Sequence, residues 1–154
     1  MKTFYDYDTK IGKIFIEADG GSLTRISFLE ISGTKLETPL IKRTFLELEE
    51  YFDGKRKSFD ISLKIEGTKF QKSVWNALMT IPYGETMSYK DIAKLIGNEK
   101  ASRAVGMANN KNKLPIIIPC HRVIASNGDL TGYAGGIEIK EKLLNLEKAF
   151  SSSI

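Results

Sequence analysis

At Glu66-Gly67 the hydrophobic period of this 154-residue chain changes. Before that point, apolar residues alternate in short β-prone runs: FYDYDT, GKIFIEA and LTRISFL between residues 4 and 29, and SFDISLKI at 58 to 65. Beyond it they recur every three or four residues. A period of two puts successive side chains on opposite faces of a strand, and a period near 3.6 gathers them on one helix face. A chain that switches between the two is neither a plain helical bundle nor a plain β barrel, so the expected class is α+β. The expected boundary divides residues 1–66, a small α+β module, from residues 67–154, a mainly helical one.

Local signals fill in both halves. The turn Asp19-Gly20-Gly21 between two alternating runs predicts a hairpin in an antiparallel meander. Thr38 and Pro39 open a helix carrying Leu40, Ile41, Phe45, Leu48 and Phe52, closed by Asp53-Gly54. In the second half Thr68 and Gln71 form a capping box for a helix with Phe70, Val74, Trp75, Leu78 and Ile81 on one face, stopped at Pro82-Tyr83-Gly84. Ser88 and Asp91 cap another, with Ile92, Leu95 and Ile96 inward and an end at Gly97-Asn98. A third follows over about 99 to 110, and two short helices across a tight glycine turn have the form of a helix-turn-helix.

Charge separates the halves as well. Residues 1–66 hold eleven basic and twelve acidic side chains, and residues 67–154 hold twelve and seven, so an anionic partner belongs to the second half. On the third helix Ala101, Ala104, Val105 and Ala108 share the predicted inner face. Ser102, Arg103, Gly106 and Asn110 share the outer one, a surface of small residues with one long cation that suits close approach to a nucleic-acid backbone. Lys100, Arg103, Lys111, Lys113 and Arg122 lie in a stretch without Asp or Glu and make a candidate phosphate patch, though a solvated helix face with scattered lysines accounts for them equally well. No apolar run reaches the roughly 20 residues of a membrane span, and the acidic, aromatic start is unlike a signal peptide. The expected location is the cytoplasm.

A single Cys excludes an internal disulfide, and one Cys with one His cannot build a structural zinc site, so neither metal nor cofactor is expected. Cys120 lies in an apolar stretch with Pro115 and Pro119, followed at once by His121 and Arg122. A free Cys is more often a small core residue than a nucleophile, and a neighbouring imidazole or cation shifts the balance toward the thiolate. Adjacent residues of an extended chain point apart, so His121 would act on Cys120 through a water unless the chain turns there. On the last predicted helix, 138 to 149, Glu147 continues the apolar stripe of Ile139, Leu143 and Leu144. It either orients His121 or reaches solvent at the stripe's edge. Asn112, and Tyr133 in the Gly-rich loop, read locally as turn residues.

Taken together, Ile118-Pro119-Cys120-His121-Arg122-Val123, Phe70-Gln71, Pro82-Tyr83-Gly84-Glu85 with Ser88-Tyr89, Arg103-Ala104-Val105-Gly106 and Gly132-Tyr133-Ala134-Gly135-Gly136 resemble the O6-alkylguanine-DNA alkyltransferases. The likeness runs over about 67 to 149. It implies an RNase-H-like N-terminal domain and a C-terminal winged helix-turn-helix-like DNA-binding domain. It also implies stoichiometric, irreversible transfer of the alkyl group from O6-alkylguanine, with O4-alkylthymine as a further substrate, to Cys120 after base flipping. Under the resemblance His121 is the base acting through water, Glu147 its orienting group and Asn112 the hinge of the active-site loop. Tyr89 assists base rotation and protonation, and Arg103 fills the gap in the stack. Ser102, Gly106, Asn110, Lys111 and Arg122 join Arg103 as DNA contacts in the minor groove. Pro115, Val123, Tyr133, Ala134 and Gly135 line the pocket, and the partner is double-stranded DNA bound by a monomer.

Departures from the family pattern are the missing zinc site, Ala134 where some relatives carry a hydroxyl, and Asn110 where some carry a second arginine. Rival functions are a lesion binder without an acceptor, a helix-turn-helix regulator with a redox thiol, and a cysteine hydrolase. Cys120 argues against the first, the lack of any evident effector module in residues 1–66 against the second, and a lone His adjacent to the Cys against the third.

Overall fold

The alternating residues of the first half become three antiparallel strands, β1 (Lys2–Thr9), β2 (Gly12–Asp19) and β3 (Ser22–Ser27). The computed structural model describes residues 1–133 and 135–151. It divides into two units, Met1–Ile65 and Glu66–Ile154.

In the first unit a short fourth strand, β4 (Thr34–Lys35), runs parallel to β1 and gives the order β3-β2-β1-β4. Two polar residues carry no periodic signal, so β4 has no trace in the hydrophobic pattern. Helix α1 (Pro39–Phe52) starts as expected: the Thr38 hydroxyl accepts the Ile41 N–H at 3.3 Å, and Pro39 occupies the first turn. Its buried residues Ile41, Phe45, Leu48 and Phe52 cover the sheet face formed by Ile14, Ile16 and Ala18, and Phe45 stacks on Tyr7 with ring centroids 4.0 Å apart. The strand expected over 58 to 65 does not form. A single bridge joins Leu23 to Leu63, because the Arg43 and Arg56 side chains take the carbonyls of Asp60 and Ser58 that a ladder would need.

The second unit opens with α2 (Lys69–Leu78), where the Gln71 N–H donates to the Thr68 hydroxyl at 3.0 Å and the Thr68 N–H donates to the Gln71 side chain at 2.9 Å. It ends at Leu78, short of Pro82, because the Thr80 hydroxyl bonds the Ala77 carbonyl and a tight turn brings in Ile81. Strand β5 (Met87–Ser88) precedes α3 (Tyr89–Leu95), whose Ser88–Asp91 capping box closes at 3.0 Å in both directions. Gly97, at φ +81°, lets the chain reverse: the Asn98 N–H reaches the Ala93 carbonyl and the Gly97 N–H that of Lys94.

Helix α4 (Ser102–Asn110) follows, shorter than the expected 99 to 110. Two facing assignments change. On α3 Ala93 is buried beside Ile92, while Leu95 is exposed. On α4 the inner stripe is Ala101, Val105, Ala108 and Asn109, and Ala104 lies outside it. The stripe exchanges Ala104 for Asn109 because the Asn109 amide, which the sequence pattern counts as polar and outward, is taken inside. Strand β6 (Val123–Ile124) pairs in parallel with β5, and α5 (Ile137–Phe150) ends the described chain apart from one residue. Among the described residues no helix is long and apolar enough to cross a membrane.

Removing the α3 cap tests how far the helix pair depends on it. Ser88→Ala is expected to lower stability by about 1 kcal/mol, read as a lower urea midpoint with an unchanged slope.

Candidate active site

Between α4 and β6 the backbone is held by amide side chains. Asn112, buried, donates from Nδ2 to the Ile118 carbonyl at 2.9 Å and accepts the Leu114 N–H on Oδ1 at 2.9 Å. Asn109 donates from Nδ2 to the Cys120 carbonyl at 3.3 Å. The loop so closed contains Ile116 at φ +75°, a left-handed conformation that a β-branched residue adopts only when its surroundings impose it. Cys120, His121 and Arg122 then form a single 3₁₀ turn after Pro119. The chain therefore turns where extended geometry would have separated Cys120 from His121.

All three side chains of the turn are buried, and α5 supplies what they face. Among the described residues the Glu147 carboxylate accepts these hydrogen bonds. His121 Nε2 lies 2.6 Å from Oε2, Arg122 Nε donates to Oε1 at 2.8 Å and Nη2 to Oε2 at 3.0 Å, and the Gly84 N–H donates to Oε1 at 3.1 Å. Gly84 is required in this close approach, since a Cβ there would lie 2.6 Å from Ser151 Cβ. Burial opposes ionisation of Glu147, but the hydrogen bonds from His121 and Arg122 outweigh it and hold the carboxyl far below the usual carboxylate range. Burial also pushes His121 below the ordinary imidazole range despite the attraction of Glu147. A neutral imidazole beside an ionised carboxylate carries its proton on Nε2. Nδ1, buried and without a hydrogen-bond partner among the described residues, is then a free base.

Arg122 is a correction to the expected phosphate patch. It is 8% exposed, spans Glu147, donates from Nη1 to the Ile81 carbonyl at 2.7 Å and lies over the Tyr83 ring. The stretch around it lacks acidic residues, but the counter-charge arrives from α5, 25 residues on. Burial raises the Cys120 thiol to about 11, with Asn112 and Lys140 pulling the other way. The resting form at neutral pH is the protonated thiol.

A groove of about 440 Å³ runs along the outer face of α4, lined by Tyr89, Ser102, Arg103, Gly106, Asn110, Thr131 and Gly132. Arg103 and Asn110 are exposed, as is Lys111 just beyond the helix. The Tyr89 hydroxyl donates to the Thr131 carbonyl at 3.1 Å. Of the expected pocket residues Pro115, Val123 and Tyr133 are buried and Gly135 is half-buried, while Ala134 lies outside the described residues. Burial holds the Tyr133 phenol well above its usual range, so it stays protonated. Among the described residues no cluster of three His, Cys, Asp or Glu could hold a metal.

Three contributors escaped the sequence reading. Trp75 Nε1 donates to the Ala108 carbonyl at 2.9 Å, Asn109 holds the Cys120 backbone, and Lys140 is fully buried on α5. Lys140 was findable, since it sits three residues before Leu143 and seven before Glu147, on the stripe that exposed Glu147 as a candidate.

Residues 69–149 match the model of the 6-O-methylguanine DNA methyltransferase DNA-binding domain, and residues 2–65 match that of the ribonuclease-like domain. The chain belongs to the 6-O-methylguanine DNA methyltransferase family. A methylated-DNA–protein-cysteine methyltransferase from Methanosarcina acetivorans is 52% identical over 149 residues, covering 92% of this chain and 95% of the relative. The constitutive methyltransferase of that name from Bacillus subtilis is 44% identical, covering 96% of each. Among solved structures, the Mycobacterium tuberculosis O6-methylguanine methyltransferase superposes with a TM-score of 0.92 at 42% identity, covering 100% of this chain and 97% of that one. The OGT of the same organism, solved in complex with DNA, does so at 0.90 and 44%, covering 96% and 94%. Across the methyltransferase family fold, then, the α+β architecture of ribonuclease-like and DNA-binding parts holds for this chain.

Glu147→Gln leaves the buried Arg122 without its counter-charge and is expected to cost about 3–5 kcal/mol. In the parent protein, unfolded His121 takes up a proton below pH 6.5 that the folded site refuses, and unfolded Glu147 does so below pH 4.5. Both make the unfolded state bind more protons, so stability falls as pH drops through each window. Unfolding followed by Trp75 fluorescence against pH should show both losses, with the lower one diminished in Glu147→Gln.

Proposed function

We propose that this chain repairs DNA by transferring the alkyl group of O6-alkylguanine irreversibly to Cys120, each molecule acting once. The observation that carries the reading is the His121–Glu147 pair beside the buried thiol, which leaves Nδ1 as the free base. His121 takes the thiol proton through a water, the thiolate sulfur attacks the alkyl carbon, and an S–C bond forms as the C–O6 bond breaks. The electron pair goes to guanine, which regains a proton as it leaves, so the net change is one alkyl for one proton. A thioether product offers no route back under cellular conditions, which makes turnover single.

Glu147 orients the imidazole, Arg122 holds Glu147, and Asn112 holds the loop. O6 of a paired guanine is closed to in-line attack, so the base must leave the stack, at a cost of a few kcal/mol that is lowest for a damaged pair. The small residues Ser102 and Gly106 suit α4 to the minor groove, with Arg103 filling the space left by the base and Tyr89 aiding its rotation and protonation. Pro115, Val123, Tyr133 and Gly135 shape the pocket, and Ala134 completes it in sequence. O4-alkylthymine presents the same alkyl-on-oxygen geometry and is a second substrate. Residues 1–66 and 67–154 act as two domains, the second of which holds every residue of the chemistry. One copy of the chain therefore suffices, and the free thiol suits the reducing cytoplasm.

The test is an intact-mass spectrum after incubation with an O6-methylguanine duplex, followed by peptide mapping. One methyl on Cys120 per lesion lost is expected, and Cys120→Ala should bind the duplex but take up none. Unmodified protein with the lesion intact refutes the proposal. Because His121 is held below its usual range, the transfer rate should stay level on acidification until below pH 6.5, where the imidazole protonates and ceases to act as base.

A further inference from the structure

Cys120 is buried, so a substituent reaches its sulfur only past the side chains and loops around it. The groove along α4 has two walls, the helix itself and the loop at Thr131 and Gly132. That loop runs on to Tyr133, which is buried and close enough to Cys120 for the two to interact electrostatically. Where the loop stands relative to α4 therefore sets the room beside the acceptor.

Two contacts join the loop to the helix pair. From the start of α3 the Tyr89 hydroxyl donates to the Thr131 carbonyl at 3.1 Å and lies 3.2 Å from the Thr131 hydroxyl. Asn110, the last residue of α4, makes the second contact by packing. A Cβ on Gly132 would lie 3.0 Å from Asn110 Oδ1, 3.0 Å from Nδ2 and 3.4 Å from Cγ, so the amide lies face-on against the glycine. The two surfaces meet with no space for a methyl group between them. Asn110 is exposed and carries no charge, whereas its exposed neighbours Arg103 and Lys111 carry the charge that phosphates attract. A neutral planar group pressed on a backbone acts as a spacer, and its effect follows its shape.

We propose that Asn110 is a specificity-determining residue, whose amide against Gly132 sets the width of the groove and thereby the size of the O6 substituent that Cys120 accepts. This rests on Cys120 being the alkyl acceptor. A methyl group asks little of the groove, while a benzyl group must find room for a ring between the loop and α4. Shortening residue 110 to Ala empties the space of an amide beside the loop. Replacing it by Asp keeps the planar outline and changes the charge.

The experiment compares the full-length parent with Asn110→Ala and Asn110→Asp, both changes at an exposed position. Rates of Cys120 alkylation by O6-methylguanine and O6-benzylguanine are read by intact mass, with the bases free so that no phosphate contact enters. Affinity for an O6-methylguanine duplex is read alongside. Asn110→Ala should raise the benzyl-to-methyl rate ratio about tenfold, the low end of what a methylene-sized change in a pocket produces. Asn110→Asp should keep the ratio within about twofold of the parent's, since the outline of the side chain is retained. An Asn110→Ala protein with the parent's ratio overturns the proposal. Loss of duplex affinity with both free-base rates unchanged also overturns it, because Asn110 would then be a DNA contact. So does an equal change of ratio in both variants, which would trace to the hydrogen bonding of the amide and not to its shape. If the parent takes an alkyl group from neither the bases nor the duplex, the acceptor reading fails instead. Rates of Cys120 alkylation by benzyl bromide and methyl iodide, compared between parent and Asn110→Ala, then still decide whether residue 110 sets the width.

Discussion

One buried carboxylate organises the C-terminal unit. Glu147 has no exposed surface and accepts donors from the imidazole of His121, two nitrogens of Arg122 and the backbone of Gly84. An ionised carboxylate in that environment is tolerable only when its acceptor positions are filled, and the donors come from two stretches of chain far apart in sequence. The requirement fixes α5 against the Cys120–Arg122 turn and the 82–84 turn at once. The same requirement sets the chemistry, because a carboxylate so stabilised keeps its charge, holds the Nε2 proton of His121 and leaves Nδ1 as the basic atom. Fold and reactivity share a single set of hydrogen bonds.

A second set joins α4 to the Cys120 turn. Trp75 holds the Ala108 carbonyl, Asn109 the Cys120 carbonyl, and Asn112 the Ile118 carbonyl, all within the last turn of α4 or just beyond it. Asn109 grips the Cys120 backbone directly, and Asn112 holds the Ile118 backbone two residues before it while favouring the ionised form of the thiol. The position of the Cys120 backbone is thereby tied to the helix whose outer face carries Arg103.

How much of this was legible depended on whether the controlling interaction is local. The three helix starts at Thr38, Thr68 and Ser88, and the Gly20-Gly21 hairpin, are decided by residues within four positions of one another, and the structure has them where the sequence puts them. The 58–65 segment has an alternating pattern fit for a strand, yet its carbonyls are claimed by arginines that the pattern does not register. Arg122 reads as a free cation because its partner is 25 residues away, and Leu95 reads as inward although a seven-residue helix buries only Ile92 and Ala93. The site was legible where chemistry-bearing residues cluster, at Cys120 and His121. It was illegible where a polar side chain is taken into the core to hold backbone, as with Asn109 and Lys140, because periodicity assigns polar residues to the surface.

The high proton affinity of Cys120 fits a protein that can react only once. A thiol activated at rest would be consumed by any small electrophile, and each such event would cost a whole molecule. Burial raises the proton affinity of this thiol and so favours its protonated form at rest. The same burial that disfavours the thiolate surrounds a neutral imidazole with one unpartnered nitrogen, so low dielectric and a base are brought together in one turn.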